Sequence, residues 1–131
     1  MKHISKIEII LFVQDQEQST EFYTKLFRKD PDLNVPGMTE FILSENCKLG
    51  LMPNTGIAKI LSDQMPHPKE GAGIPRCELY LTVENIEQEF ENALKIGAKL
   101  ISGIAERNWG DQVCYFTDLD GHVIAFASPI E

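Results

Sequence analysis

The sequence predicts an α+β protein built from two copies of one βαβββ unit. Three observations support this: a strand with period-two alternation opens each half, a helix with the same capping pattern follows it, and short strands complete the half. The offset between the halves is 70 residues at the first strand and 75 at the last, where Gly50 is matched to Ala125. Each half therefore represents one module.

Alternation of residue types predicts the two opening strands. In residues 7–13 every odd position is aliphatic, and in residues 77–83 the odd positions are Cys, Leu, Leu and Val. A strand places successive side chains on opposite faces. Glu8 and Glu78 are therefore expected on the more polar face of their strands, in the same phase.

A capping pattern predicts where both helices begin. Asp15 and Asn85 are each followed three residues later by Gln, which indicates helices over residues 16–27 and 86–96, the second ending before Gly97. The side chains predicted to face the core are Phe22, Tyr23, Leu26 and Phe27, then Ile86, Phe90, Ala93 and Leu94. The remaining strands are predicted at residues 40–44, 48–52, 113–117 and 122–127.

The length of 131 residues fits a single domain. Module one covers about residues 1–52 and module two about residues 77–131. Between them, residues 53–76 are rich in Pro and Gly, with a short helix expected near residues 57–61. Such a linker is long enough for modules to pair either within one chain or between two chains.

Composition excludes several classes of partner. The chain has 12 Lys and Arg against 20 Asp and Glu, a formal net charge of −8. Binding to nucleic acid or to an anionic bilayer needs clustered basic residues, so neither is expected. No apolar run approaches the roughly 18 residues of a membrane span, the first residues do not resemble a signal peptide, and the three cysteines form no metal-ligand pattern. We therefore expect a cytoplasmic protein.

Three motifs resemble those of a known family. They are residues 8–15 followed by Ser19, Phe22 and Tyr23, then Trp109-Gly110-Asp111, and finally Asp118-Leu119-Asp120-Gly121-His122. Together they resemble the vicinal oxygen chelate superfamily of glyoxalase I, extradiol dioxygenases, and bleomycin and fosfomycin resistance proteins. The resemblance covers about the whole chain and implies a cupped mixed sheet with helices on its outer face. The motifs are poor at choosing among the superfamily's activities.

The resemblance implies four metal-ligand positions, of which two lack a donor. They fall on Glu8, Gly50, Glu78 and Ala125. Nickel, zinc and iron sites normally have about three or four protein donors, often including imidazole. We therefore expect no cofactor and no tight transition metal. A weak site for a hard cation such as Mg²⁺ at the two glutamates stays an alternative.

Aromatic and sulfur-containing side chains share the faces of the two glutamates, and this favours a ligand-binding surface. The resemblance adds the Trp-Gly segment, which borders the cavity in that family. The candidate ligand-binding residues are Glu8, Phe12, Met52, Glu78, Tyr80 and Trp109. Two acids beside aromatic rings suit a small aromatic or cationic ligand. The alternative is that the acids simply face solvent. Arg107 could anchor an anionic group, although a solvated arginine is the commoner interpretation.

Three function classes follow. The first is a small-molecule-binding protein similar to antibiotic-sequestering resistance proteins. The second is a glyoxalase-like lyase or isomerase, related to lactoylglutathione lyase, with Glu8 or Glu78 as a catalytic base and a divalent metal. The third is an interaction module whose cup is filled by side chains. Because a cupped sheet leaves strand edges uncovered, we also expect a homodimer.

The missing donors at Gly50 and Ala125 give a prediction about metal content. The purified protein should hold no stoichiometric Ni²⁺, Zn²⁺ or Fe²⁺, and EDTA should leave its Tm unchanged, because two carboxylates bind these ions weakly. Elemental analysis and a thermal melt test both statements. One equivalent of bound metal would contradict the prediction.

Overall fold

The computed structural model describes residues 3–131, which group into two compact units, one ending at Ala72 and the other spanning Gly73–Glu131. The boundary falls inside the segment 53–76 that the sequence assigns to the linker. None of the helices in the described part of the chain could cross a lipid bilayer.

Each unit has the βαβββ order. The first contains β1 (Ile7–Val13), α1 (Gln16–Phe27), β2 (Leu33–Val35), β3 (Met38–Ser44), β4 (Cys47–Pro53) and α2 (Asn54–Leu61), followed by short 3₁₀ helices at Ser62–Gln64 and Pro68–Gly71. The second contains β5 (Glu78–Thr82), α3 (Ile86–Lys95), β6 (Lys99–Glu106), β7 (Asp111–Thr117) and β8 (Val123–Pro129).

The two units have equivalent four-stranded mixed sheets, ordered β1-β4-β3-β2 and β5-β8-β7-β6. In both, the first strand of the unit pairs in parallel with the last, and the other pairs are antiparallel. Ile10 pairs with Gly50, and Tyr80 pairs with Ala125. The predicted α+β class, the two modules and the match of Gly50 to Ala125 are confirmed.

Helix α1 packs on one face of the first sheet, and α3 packs on one face of the second. In the first unit the Phe27 ring lies 5.5 Å from that of Phe41, and the α1 hydroxyl of Thr20 lies 2.8 Å from that of Thr39. In the second, the rings of Phe90 on α3 and Phe116 on β7 are 5.4 Å apart. We call the opposite side of each sheet its far face.

Both predicted helix caps are present. The Asp15 side chain accepts a hydrogen bond from the backbone amide of Gln18 at 3.0 Å, and the Asn85 side chain accepts one from the backbone amide of Gln88 at 3.1 Å. These bonds satisfy amides that have no partner within their own helix. Gly97 has a φ of 95°, a left-handed conformation that glycine adopts without strain.

Some predicted core positions are wrong. Leu94 is 45% exposed, because the stripe of α3 that faces the sheet runs through Ile86, Phe90 and Ala93 and leaves Leu94 at its edge. On β1 the buried side chains are Leu11 and Val13 only, so the N-terminal half of the aliphatic face remains exposed.

The sequence analysis did not predict two of the strands, β2 and β6. β2 and β6 lie at the edges of their sheets and pair with only one neighbour. All three residues of β2 are exposed, and the β6–β7 register contains two irregularities. A strand of three exposed residues is too short to show alternation, and register irregularities interrupt the alternation of β6.

The turn between β7 and β8 depends on one buried carboxylate. Asp118 is 8% exposed, and its Oδ1 accepts hydrogen bonds from the amides of Asp120 at 3.0 Å and His122 at 2.9 Å. Gly121 has a φ of 85°, and a Cβ there would lie 2.7 Å from the Cα of Gly73. Glycine is thus required at this position both by conformation and by the close approach.

The turn gives a stability prediction. Asp118→Ala should lower the free energy of unfolding by about 1–3 kcal/mol, because two backbone amides lose their buried acceptor. Asp118→Asn keeps the Oδ1 acceptor and should lose distinctly less. Urea unfolding of both variants tests this, and equal losses would show that the charge of Asp118, and not its acceptor oxygen, stabilises the turn.

Candidate functional site

The far face of the first sheet carries two acids around one lysine. The Lys48 Nζ lies 3.0 Å from Glu40 Oε1 and 4.0 Å from Glu8 Oε1. Register explains the grouping, because Glu8 pairs with Lys48 while Glu40 pairs with Gly50, one row further along. The side chain of Glu8 is 24% exposed and that of Glu40 is 16% exposed. Lys48 therefore supplies a positive charge to two partly desolvated carboxylates.

The Glu8 carboxylate fills the space above Gly50. A Cβ at Gly50 would lie 2.6 Å from Glu8 Oε2 and 3.3 Å from the sulfur of Met38. The same Oε2 atom is buried and accepts no hydrogen bond from the described residues. A side chain at residue 50 would thus displace Glu8 from its present position.

The pKa values of Glu8 and Glu40 shift in opposite directions. Burial raises the pKa of Glu8, and the adjacent Glu40 raises it further by hydrogen bonding and charge repulsion, against a smaller opposing effect of Lys48. The hydrogen bond from Lys48 lowers the pKa of Glu40. A proton shared by the pair therefore resides on Glu8. The sequence analysis names Glu8 as a candidate base but misses Glu40 as its neighbour.

The far face of the second sheet carries a hydrogen-bonded aromatic cluster. The Tyr80 hydroxyl donates to Asp111 Oδ2 at 2.6 Å and accepts from Trp109 Nε1 at 2.8 Å. Tyr80 is 38% exposed and Trp109 is 56% exposed. The polar atoms of both rings are thus fixed while ring surface stays in contact with solvent. We call these three residues the Tyr80 cluster.

A second tyrosine covers Ala125. Tyr115 pairs with Ala125 across β7 and β8 and packs against the buried cluster of Val113, Ala125 and Ala127. Ala125 is completely buried. A larger side chain at residue 125 would need Tyr115 to move.

The predicted ligand-binding residues fall into two groups. Phe12 pairs with Met52, and both are partly buried in the row of the first sheet beyond Gly50. Glu78 lies on the far face of the second sheet, and its side chain faces solvent, whereas that of Glu8 is partly buried. Tyr80 and Trp109 are joined directly. Convergence of the two groups on one cavity stays a prediction.

Four residues on the far faces were missed: Glu40, Lys48, Asp111 and Tyr115. A signal existed for two of them, because Glu40 and Tyr115 occupy equivalent places in the repeat, each opposite the residue matched as Gly50 or Ala125. Lys48 is the first residue of the strand predicted at 48–52, and Asp111 precedes the strand predicted at 113–117. Alternation therefore did not assign either side chain to a face.

The donor set does not fit the metal that the resemblance implies. In the first sheet Glu8 occupies the space of the missing donor at Gly50, and the Lys48 ammonium already lies beside both carboxylates. In the second, Ala125 offers no donor beneath Tyr115. Residues 3–131 contain no group of three or more His, Cys, Asp or Glu suited to a metal ion. Substituting Glu at residues 50 and 125 would meet steric obstacles at both positions.

Comparison with known proteins agrees with this architecture. An uncharacterized protein of Mycobacterium bovis is 24% identical over 123 residues, covering 92% of this chain and 80% of that protein. A glyoxalase/bleomycin resistance protein/dioxygenase family enzyme from Burkholderia phytofirmans superposes with a TM-score of 0.79 at 14% identity, covering 94% of this chain and 97% of that one. A glyoxalase-related enzyme from Fulvimarina pelagi superposes with a TM-score of 0.77 at 19% identity, covering 92% and 85%.

The family model described as a glyoxalase-like domain matches residues 6–131, nearly the whole chain. The two βαβββ modules of this chain agree with the fold that the resemblance to the vicinal oxygen chelate superfamily implies. The chain therefore belongs to the glyoxalase-like domain family, within the vicinal oxygen chelate superfamily.

Proposed function

We propose that this protein binds a small organic molecule without a tight transition metal, in the manner of the sequestering members of its superfamily. The Tyr80 cluster carries the proposal, because two rings keep solvent-exposed surface while their polar atoms are held by hydrogen bonds. An aromatic or apolar ligand body would stack on these rings.

Rigidity makes such a surface effective. Tyr and Trp offer large contact areas, and their fixation before binding reduces the conformational entropy lost when a ligand is ordered against them. Partial desolvation and the bond to Asp111 both raise the pKa of Tyr80. The hydroxyl therefore remains a neutral donor at physiological pH, and the cluster stays connected.

Trp109 allows a direct test, because the chain has only one Trp and hence one indole N–H resonance. Benzyl alcohol, benzamidine and benzoate each contain one phenyl ring, and they are neutral, cationic and anionic, respectively. We expect saturable shifts of the indole resonance with at least one member. Tyr80→Phe should weaken binding about three- to tenfold, because it breaks the link between Trp109 and Asp111.

Tyr115→Phe is the matched control, since it also removes one tyrosine hydroxyl from the far face of the second sheet. It should change the affinity less than twofold. If no panel member shifts the indole resonance at saturating concentration, or if both variants weaken binding equally, the Tyr80 cluster is not the binding surface.

The second candidate function is catalysis with Glu8 as proton acceptor. It is favoured by the raised pKa of Glu8, since a carboxylate that holds a proton more tightly is a stronger base near neutral pH. Glu40 and Lys48 would position the Glu8 carboxylate.

The adduct of methylglyoxal and glutathione is a suitable substrate to assay. Glu8→Gln should reduce any turnover about a hundredfold, and a wild-type protein without turnover of this adduct would count against lyase activity of that kind.

The same pKa shift predicts a pH-dependent change in stability. A raised pKa means that ionised Glu8 is disfavoured in the folded protein; this penalty is absent below the ordinary pKa of about 4.3 and grows as the pH rises. Glu8→Gln removes it. The variant should therefore unfold at higher urea than wild type at pH 7–8, and the difference should vanish near pH 4.

The exposed Glu78 provides the control for this measurement. Glu78→Gln removes the same charge from an exposed position on the equivalent strand of the second unit and therefore measures the effect of the change in net charge alone. A Glu8→Gln variant whose advantage persists unchanged to pH 4 would mean that repacking above Gly50, and not ionisation, explains the effect.

A further inference from the structure

Arg107 is held in place at the end of β6, on the far face of the second sheet. Its guanidinium carbon lies 5.4 Å from the centre of the Tyr115 ring, and Nη2 donates to Ser102 Oγ at 3.1 Å. Its backbone is fixed as well, because its amide donates to the Asp111 carbonyl at 2.8 Å and its carbonyl accepts from the Gly110 amide at 3.3 Å. The side chain is therefore oriented before any ligand arrives.

Most of the donors of this guanidinium are unused. Arginine has five N–H donors. The Nε atom is buried and has no hydrogen-bond partner in the described part of the chain. A buried donor without an acceptor is unfavourable and is rare in folded proteins. The side chain as a whole is only partly buried, so an acceptor from outside the chain can approach the remaining N–H groups of the guanidinium.

Within the described residues 3–131 no carboxylate forms an ion pair with Arg107, although acids outnumber basic residues 20 to 12 in the sequence. In the turn that follows, Asp111 uses Oδ2 to accept from the Tyr80 hydroxyl. The interpretation of Arg107 as a solvated surface arginine is therefore inconsistent with its partial burial and its stacked position.

We infer that Arg107 is an oxyanion-binding residue that receives a carboxylate or phosphate group of the ligand. The inference rests on the proposed function and names the ligand class: an aromatic or apolar body with an anionic group. The planar fork of a guanidinium suits two parallel hydrogen bonds to such a group. Trp109 lies two residues later in the same turn, so the anionic group and the stacking surface belong to one short segment. This charge preference is the opposite of the cationic ligand favoured by the sequence.

The test compares probes of one size with the intact protein. Benzoate and phenyl phosphate should bind more tightly than benzamidine, and benzoate should shift the Arg107 Nε–H resonance in NMR spectra of the wild-type protein. The tighter of the two anions identifies the group. Arg107→Gln should weaken benzoate binding about ten- to a hundredfold. Arg107→Lys keeps the charge but loses the fork, and should weaken it by a smaller factor.

Lys99→Gln is the matched control, because it removes one positive charge from an exposed position of the same strand. It should change benzoate affinity less than twofold. The inference is overturned if benzoate binds Arg107→Gln within twofold of wild type, if it saturates the indole shift without moving the Arg107 Nε–H resonance, or if benzamidine binds better. Binding of benzyl alcohol to Trp109 in those cases would leave the proposed function standing, whereas failure of every probe would remove it.

Discussion

Packing of α1 on one face of the first sheet and of α3 on one face of the second is the constraint on which the site depends. Tyr23 of α1 and Phe41 and Leu49 of the first sheet have no exposed surface, and Phe116 and Ile124 have none in the second. A slip of one residue in strand register would move these side chains to the far face and expose a large apolar area. The identity of the far-face residues is thus fixed by burial on the other side, not by interactions among themselves.

Two small residues determine what the far faces can do chemically. Gly50 leaves room for the Glu8 carboxylate to bend towards Glu40, and Ala125 leaves room for Tyr115 to lie over the sheet. In the first sheet a lysine ammonium then neutralises carboxylates that would otherwise repel each other. Lys48 thus offsets one of the two negative charges from within the chain, which weakens the electrostatic reason for recruiting a divalent ion at that position.

Local patterns were sufficient to predict most of the fold. The opening strands, the caps at Asp15 and Asn85, and the match of Gly50 to Ala125 depend on residues close in sequence or on the repeat. The network of Glu8, Glu40 and Lys48 was not predictable in this way, because it depends on the register between three strands. Strands β2 and β6 also lacked a signal, since β2 has only three residues, all exposed, and β6 pairs with β7 through two register irregularities.

Net charge alone does not decide which ligand charge a far face accepts. A formal charge of −8 suggests that anions are repelled, but surface charges more than about 8–10 Å apart are largely screened at physiological salt. Binding is decided by the groups within a few ångströms of the ligand. On the first sheet the acids already have Lys48 as a partner, whereas on the second Arg107 has a hydroxyl and a ring but no carboxylate. The distribution of paired and unpaired charges, and not their sum, therefore sets the ligand preference of each face.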